Sequence, residues 1–169
     1  MAALKDIKRQ IGAVQKTKQI TSAMNMVAAS KFRTAQMRMD NFRPYAGKFM
    51  EVLNSLALRV DASSHPLLAV RPPKKLRVIC MTSDRGLCGG FNSNLIKATE
   101  RFVKEKESEG KEVSLVPVGR KGRDYFRKKA KIMNERVDVF KKFDMSLAVE
   151  ISNDIIPSFV KEEYDELYL

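Results

Sequence analysis

The chain has 169 residues, 44% hydrophobic and 31% charged, with a formal net charge of +12 at neutral pH. That composition suits one soluble globular domain plus an extension, and no run approaches the roughly 18 uninterrupted apolar residues of a membrane span. The surplus of cations calls for an anionic partner: nucleic acid, an anionic membrane surface or an acidic protein.

The N-terminal segment MAALKDIKRQIGAV has no apolar h-region, so it does not read as a secretory signal. From Leu4 the positions spaced alternately by three and four are Leu4, Ile7, Ile11, Val14, Lys18, Thr21, Asn25, Ala28, Phe32, Ala35, Met39, Phe42, Ala46, Phe49, Leu53, Leu56 and Val60. Fourteen of these seventeen are apolar and the register never slips. This is the 3.5-residue period of a left-handed coiled coil. It predicts a helix over residues 1–60, about 85 Å long at 1.5 Å per residue, which a domain of this size cannot bury. Pro44 is expected to kink it or loosen one turn.

The three exceptions, Lys18, Thr21 and Asn25, are consecutive and form a small, polar, methionine-rich break. It reads either as a solvated register-fixing patch or as a surface whose partner is not simply another helix. Charge is uneven as well. Residues 1–60 carry 11 basic and 3 acidic side chains, a net of +8, and between Ile7 and Met39 no residue is acidic. The far end reverses this with EEYDE at 162–166.

Residues 61–75, DASSHPLLAVRPPKK, read as a linker, with three prolines and the only histidine. Beyond it strands alternate with helices. Residues 76–81 predict a buried strand, 91–107 a helix and 112–118 a second strand. A short basic helix is expected around 124–129 and a weaker strand over 132–140. A further helix runs through Ile151, Ile155 and Phe159, capped by Asp144 or Ser146 and disturbed by Pro157. YDELYL then predicts a fourth strand. The alternation argues for a small, mostly parallel, Rossmann-like α/β domain over 76–169. A heptad helix with no second heptad run, and a strand that stops at Leu169, both suggest a fragment or a subunit completed by another chain.

The loop TSDRGLCGGFN, 82–92, sits where a dinucleotide loop would sit. Its glycines fall at Gly86, Gly89 and Gly90, which matches neither GxGxxG nor GxxxxGK[ST]. No acidic residue ends the second strand to read a ribose; that strand leads instead into GRKGR, 119–123, where cations could hold a 2′-phosphate. The simpler reading is a tight strand-to-helix turn that needs glycine for positive φ and close packing. His65 lies in the linker without a partner for nucleophilic catalysis. Cys80 and Cys88 fit neither a zinc knuckle nor CxxC, which favours a reducing cytoplasm. No metal-ligand spacing occurs, so the residues predict no catalysis, cofactor or metal. A basic coiled coil that binds nucleic acid remains the rival, although basic zippers place a dense basic block ahead of a clean seam.

In this order and spacing, IKRQIGAVQKTKQITSAMNMVAASKFRTAQ, RPYA and TSDRGLCGGFN closely resemble the gamma-subunit family of F-type ATP synthases. The resemblance implies a non-catalytic central-stalk rotor that couples c-ring rotation to ATP synthesis or hydrolysis in an alpha–beta hexamer, and that regulates ATPase activity and proton flow. It also implies a second long helix absent here, so the chain is expected to be C-terminally truncated. Implied partners are the alpha and beta subunits, epsilon and the c ring, with the protein peripheral at the cytoplasmic face of a bacterial plasma membrane. Implied contacts to the alpha–beta ring are Arg9, Lys16, Lys18, Met24, Lys31, Arg33, Asp84, Arg85 and Cys88. The seam would be Ile7, Ile11, Val14, Phe32, Met39, Phe42, Phe49, Leu53 and Leu56. Self-association through Phe32, Phe42, Phe49 and Leu53 is one route by which a fragment would cover it.

Overall fold

The computed structural model describes residues 2–61, 64–139 and 145–169, which divide into two compact units, Met1–Val60 and Asp61–Leu169. The first unit is one helix, α1 (Ala2–Ala57), which continues through Pro44. Among the described residues of this unit its seam is exposed. Ile7, Ile11, Val14, Phe32, Met39, Phe42, Phe49, Leu53 and Leu56 are each 41–69% exposed. Phe42, Tyr45 and Phe49 stack along the same stretch, with ring centroids 5.7 and 6.0 Å apart. Most helical stability comes from packing an apolar face rather than from propensity, so an uncovered stripe of this length demands a partner.

The second unit is a three-stranded, wholly parallel sheet of β1 (Lys75–Met81), β2 (Glu112–Val118) and β3 (Glu166–Tyr168), in the order β2-β1-β3. Helices α2 (Phe91–Ser108), α3 (Arg120–Phe126) and α4 (Met145–Val160) connect them. β1 and β2 are buried almost end to end, as parallel strands covered on both faces must be. On one face Leu76, Val78, Cys80, Val113 and Leu115 pack with Ile96 and Val103 of α2 and Phe126 of α3. On the other, Ile79, Val116 and Val118 pack with Ile151 and Ile155 of α4. The two strongest strands and α2 therefore follow their apolar patterns directly.

Three expectations are corrected. Residues 132–139 make only isolated bridges, Leu115 to Ile132 and Val118 to Arg136, rather than a strand. The cause lies in β2: Leu115 both donates to Lys131 and accepts from Met133 on that edge, whereas Pro117 accepts from Arg136 and has no N–H to return. The ladder therefore slips and stops; residue 140 lies outside the described residues. The short basic helix begins at Arg120, four residues earlier than expected, because Gly119 turns the chain straight out of β2. Ser146 lies within α4 rather than capping it, and Asp144 is outside the described residues.

Residues 71–75 are also tied down rather than slack. Arg71 donates to the Phe159 carbonyl at 3.0 Å and lies over its ring. The Lys74 and Lys75 N–H groups donate to Asp165 at 2.9 and 2.8 Å, and buried Arg77 lies over Tyr164 and 3.6 Å from Glu163. The acidic 162–166 run is thus consumed locally, holding the α4–β3 turn against the start of β1. The backbone donors beside Asp165 hold its carboxyl below the ordinary value. A carboxyl lowered on folding adds stability that is complete above its unfolded pKa of about 3.9 and is lost as pH falls through the folded value. Asp165→Asn should therefore cost about 1 kcal/mol at pH 7. That deficit should shrink in urea titrations as pH falls below the unfolded pKa of about 3.9.

Candidate functional site

The carboxyl ends of the strands of an open parallel sheet are where such folds usually place ligands. Here the loop after β1 (82–90) and the turn after β2 (119) meet through Thr82, which is fully buried. Its Oγ1 accepts the Gly122 N–H at 2.8 Å and donates to the Val118 carbonyl at 3.3 Å. The Lys121 N–H donates to the Ser83 carbonyl at 3.2 Å.

Close approach to backbone explains Gly119, and close approach to Thr82 explains Gly122, but neither explains Gly86 or Gly89. A Cβ on Gly119, whose φ is +96°, would sit 1.9 Å from the Thr82 carbonyl oxygen; one on Gly122 would sit 3.0 Å from its hydroxyl. Of the first loop's glycines only Gly89 takes positive φ (+56°); a Cβ on Gly86 or Gly89 would meet nothing within 4 Å, and one on Gly90 would sit 3.0 Å from the end of the Asn94 side chain. The expectation of close packing therefore fails at Gly86 and Gly89; the close approach lies instead at Gly119 and Gly122, where it was not expected. Leu87 also adopts positive φ (63°) with its side chain 95% exposed.

Asn92, at the start of α2, organises the loop from within. Its Oδ1 accepts the Ser83 N–H at 2.9 Å, and its Nδ2 donates to Ser83 Oγ at 2.8 Å and to Cys88 Sγ at 3.0 Å. Ser83 Oγ donates on to the Arg85 carbonyl. The space a phosphate would need beside this turn is thus bridged by the protein's own amide and hydroxyl groups. Asp84 faces inward: its Oδ1 accepts the N–H groups of Arg120 and Asp138, both at 2.9 Å. Asp84 therefore ties the two loops together, while Arg85 and Cys88 beside it are exposed. Cys80 is buried in the core, where burial pushes its thiol pKa up and a Thr99 hydrogen bond partly offsets this.

On α1, Arg9, Lys16, Lys18, Met24, Lys31 and Arg33 are all exposed. Among the described residues none of these five cations meets a carboxylate; further along α1, Lys48 pairs with Glu51. Thr17, Thr21 and Thr34 donate their hydroxyls back to carbonyls four residues earlier. Within the polar break, the Thr21 hydroxyl is therefore satisfied by the helix itself. Asn92, Thr82 and Gly119 were not singled out from the sequence.

Among the described residues no helix is long and apolar enough to cross a membrane, and no His/Cys/Asp/Glu group could hold a metal. A family model described as ATP synthase matches residues 3–169. The chain is 69% identical over 169 residues to the ATP synthase gamma chain of Syntrophus aciditrophicus (strain SB), covering all of this chain and 58% of that one. It is 46% identical to the ATP synthase gamma chain of Geobacter metallireducens (strain ATCC 53774 / DSM 7210 / GS-15), covering 59% of it. It thus spans less than two thirds of the length of the curated relatives it matches. A cryo-EM structure of the Tetrahymena thermophila mitochondrial ATP synthase central stalk and c-ring superposes with a TM-score of 0.63 at 28% identity, covering 80% of this chain and 58% of that one. Nothing in these matches supports the nucleic-acid alternative. With a family match over residues 3–169 and identity of this order to gamma chains, the chain belongs to the ATP synthase family.

Proposed function

We propose that the chain works in the central stalk of an F-type ATP synthase, as a non-catalytic rotor part. In this reading α1 is the shaft, set within the alpha–beta hexamer. The α/β unit is the base, beside the epsilon subunit and on the c ring, at the cytoplasmic face of a bacterial membrane. The observation that carries the reading is α1 itself: 56 helical residues with an exposed 3.5-residue apolar stripe and cations from Lys8 to Arg33 that, among the described residues, meet no carboxylate. A shaft couples by population shift. Each angle favours one conformation of a surrounding site because it makes different contacts with it. Exposed cations suit such sliding contact, since they attract at long range without locking one geometry. The small residues around Thr21, whose hydroxyl bonds back to its own helix, and the flexible Met24 and Met26 give the shaft an adaptable surface at this break.

The test is co-purification with alpha and beta subunits of the same organism. The expected result is co-elution with the hexamer at low salt, loosened as salt rises. Separate elution at every salt concentration sinks the proposal, and a shift of duplex DNA at the same salt would revive the basic-zipper alternative.

A further inference from the structure

Strand alternation sends Leu76, Val78 and Cys80 of β1 to the α2 side of the sheet, and Arg77 and Ile79 to the α4 side. Arg77 thus enters an apolar layer, beside Val116, Ile151 and Ile155, and is only 3% exposed. A guanidinium placed there must be matched in charge and in hydrogen bonds, because an uncompensated buried cation is costly. The match is incomplete. The hydroxyl of Ser114, its register partner on β2, donates to the Leu76 carbonyl at 3.2 Å. Glu163 stands 3.6 Å away and is nearly half exposed, and the Tyr164 ring covers one face of the guanidinium. The Arg77 Nε–H is buried and meets no acceptor among the described residues.

A second arginine repeats the pattern. The Arg136 backbone is fixed by its bonds to Pro117 and Gly119, and its Nη2 pairs with Asp154 of α4. Its Nε–H is likewise buried without an acceptor among the described residues. Both arginines line one cavity of about 10 Å³ between the sheet and α4, together with Asn134 and Asp154. Two orphaned donors at one cavity call for a guest that accepts hydrogen bonds. The lining sets the charge of that guest: two cations against one carboxylate leave a surplus of one positive charge. The volume sets its size, admitting about one small guest and excluding phosphate, sulfate or a carboxylate side chain. We propose that this cavity is a binding site for a single monoatomic anion of the halide class, held by the Nε–H groups of Arg77 and Arg136. The anion ties β1 and the segment around Arg136 to α4, so halide concentration sets the stability of the α/β unit. Water would accept from both donors but leave the surplus charge unmatched. The site lies within one unit and stands independently of the rotor reading.

The test compares the whole chain in sodium bromide and in sodium gluconate, whose anion is too large to enter, at one ionic strength. The thermal midpoint of the α/β unit, followed by near-UV circular dichroism, should stand roughly 5 °C higher in about 200 mM bromide, with a gain that saturates. Arg77→Met fills similar space without charge or donor and leaves Glu163 to solvent, so its midpoint should not distinguish the two salts. No gain in the parent, or an equal gain in Arg77→Met, overturns the site. Should Arg77→Met not fold, anomalous scattering from parent crystals grown in bromide decides the matter. The expected peak stands within hydrogen-bond reach of both Nε atoms. A water in its place assigns the cavity to solvent and overturns the anion.

Discussion

Replacing Gly119 with alanine should destabilise the α/β unit by about 4 kcal/mol, read as a fall in the urea midpoint by far-UV circular dichroism. Two costs combine. The backbone at φ 96°, ψ 145° lies in a region that is almost exclusively glycine's, worth about 1–3 kcal/mol of strain for any other residue. The new Cβ would also stand 1.9 Å from the Thr82 carbonyl oxygen, which is backbone and cannot swing aside as a side chain would. Relief requires the end of β1 to part from the turn after β2, and such overpacking costs roughly 1–3 kcal/mol more. That movement would also loosen the Thr82 bonds to Gly122 and Val118. Gly86→Ala, with open space and ordinary φ, should stay within about 0.5 kcal/mol of the parent. Gly89→Ala, with only its positive φ against it, should cost about 1 kcal/mol. A Gly119→Ala protein as stable as Gly86→Ala would mean that the two loops do not pack as described.

That contrast shows where the sequence was legible. β1, β2 and α2 announce themselves because burial on both faces, or along one stripe, writes an unbroken apolar pattern. α1 is legible for the same reason over eight heptads. The loop glycines mislead because a glycine's purpose depends on what faces it across the fold. TSDRGLCGGFN looked like the tight junction, yet the tight junction is Gly119, whose neighbour Thr82 is 37 residues away in the chain. Pro117 likewise reads as an ordinary strand residue until the missing N–H is placed on the edge that residues 132–136 approach. Asp84 had the composition of a surface contact, and only the two backbone donors reaching it from other segments reveal a structural role. Periodicity reports burial, which is a local pattern; hydrogen-bond partners and close approaches are non-local and leave little trace in spacing.

Charge on α1 is the legible feature with the largest functional consequence. Lys31→Glu together with Arg33→Glu should weaken binding of the chain to the alpha–beta hexamer by about thirtyfold at low ionic strength, near 2 kcal/mol. Exposed pairs contribute roughly 0.2–1 kcal/mol each, and reversal replaces attraction with repulsion at both positions. Both side chains are exposed and, among the described residues, engage no carboxylate of the chain, so the change should leave helix and fold intact. Because the contact is solvent-exposed, the penalty should fade toward severalfold as salt approaches 0.5 M and the Debye length shrinks below about 5 Å. Lys31→Gln with Arg33→Gln should lie between parent and reversal. An apolar seam alone would bind any complementary helix; the acid-free run makes the partner's sign matter. Binding unaffected by reversal at low salt would show that the seam, and not the charge, holds the shaft in its ring. A deficit that persisted undiminished at high salt would place Lys31 and Arg33 in buried, specific pairs rather than on a sliding track.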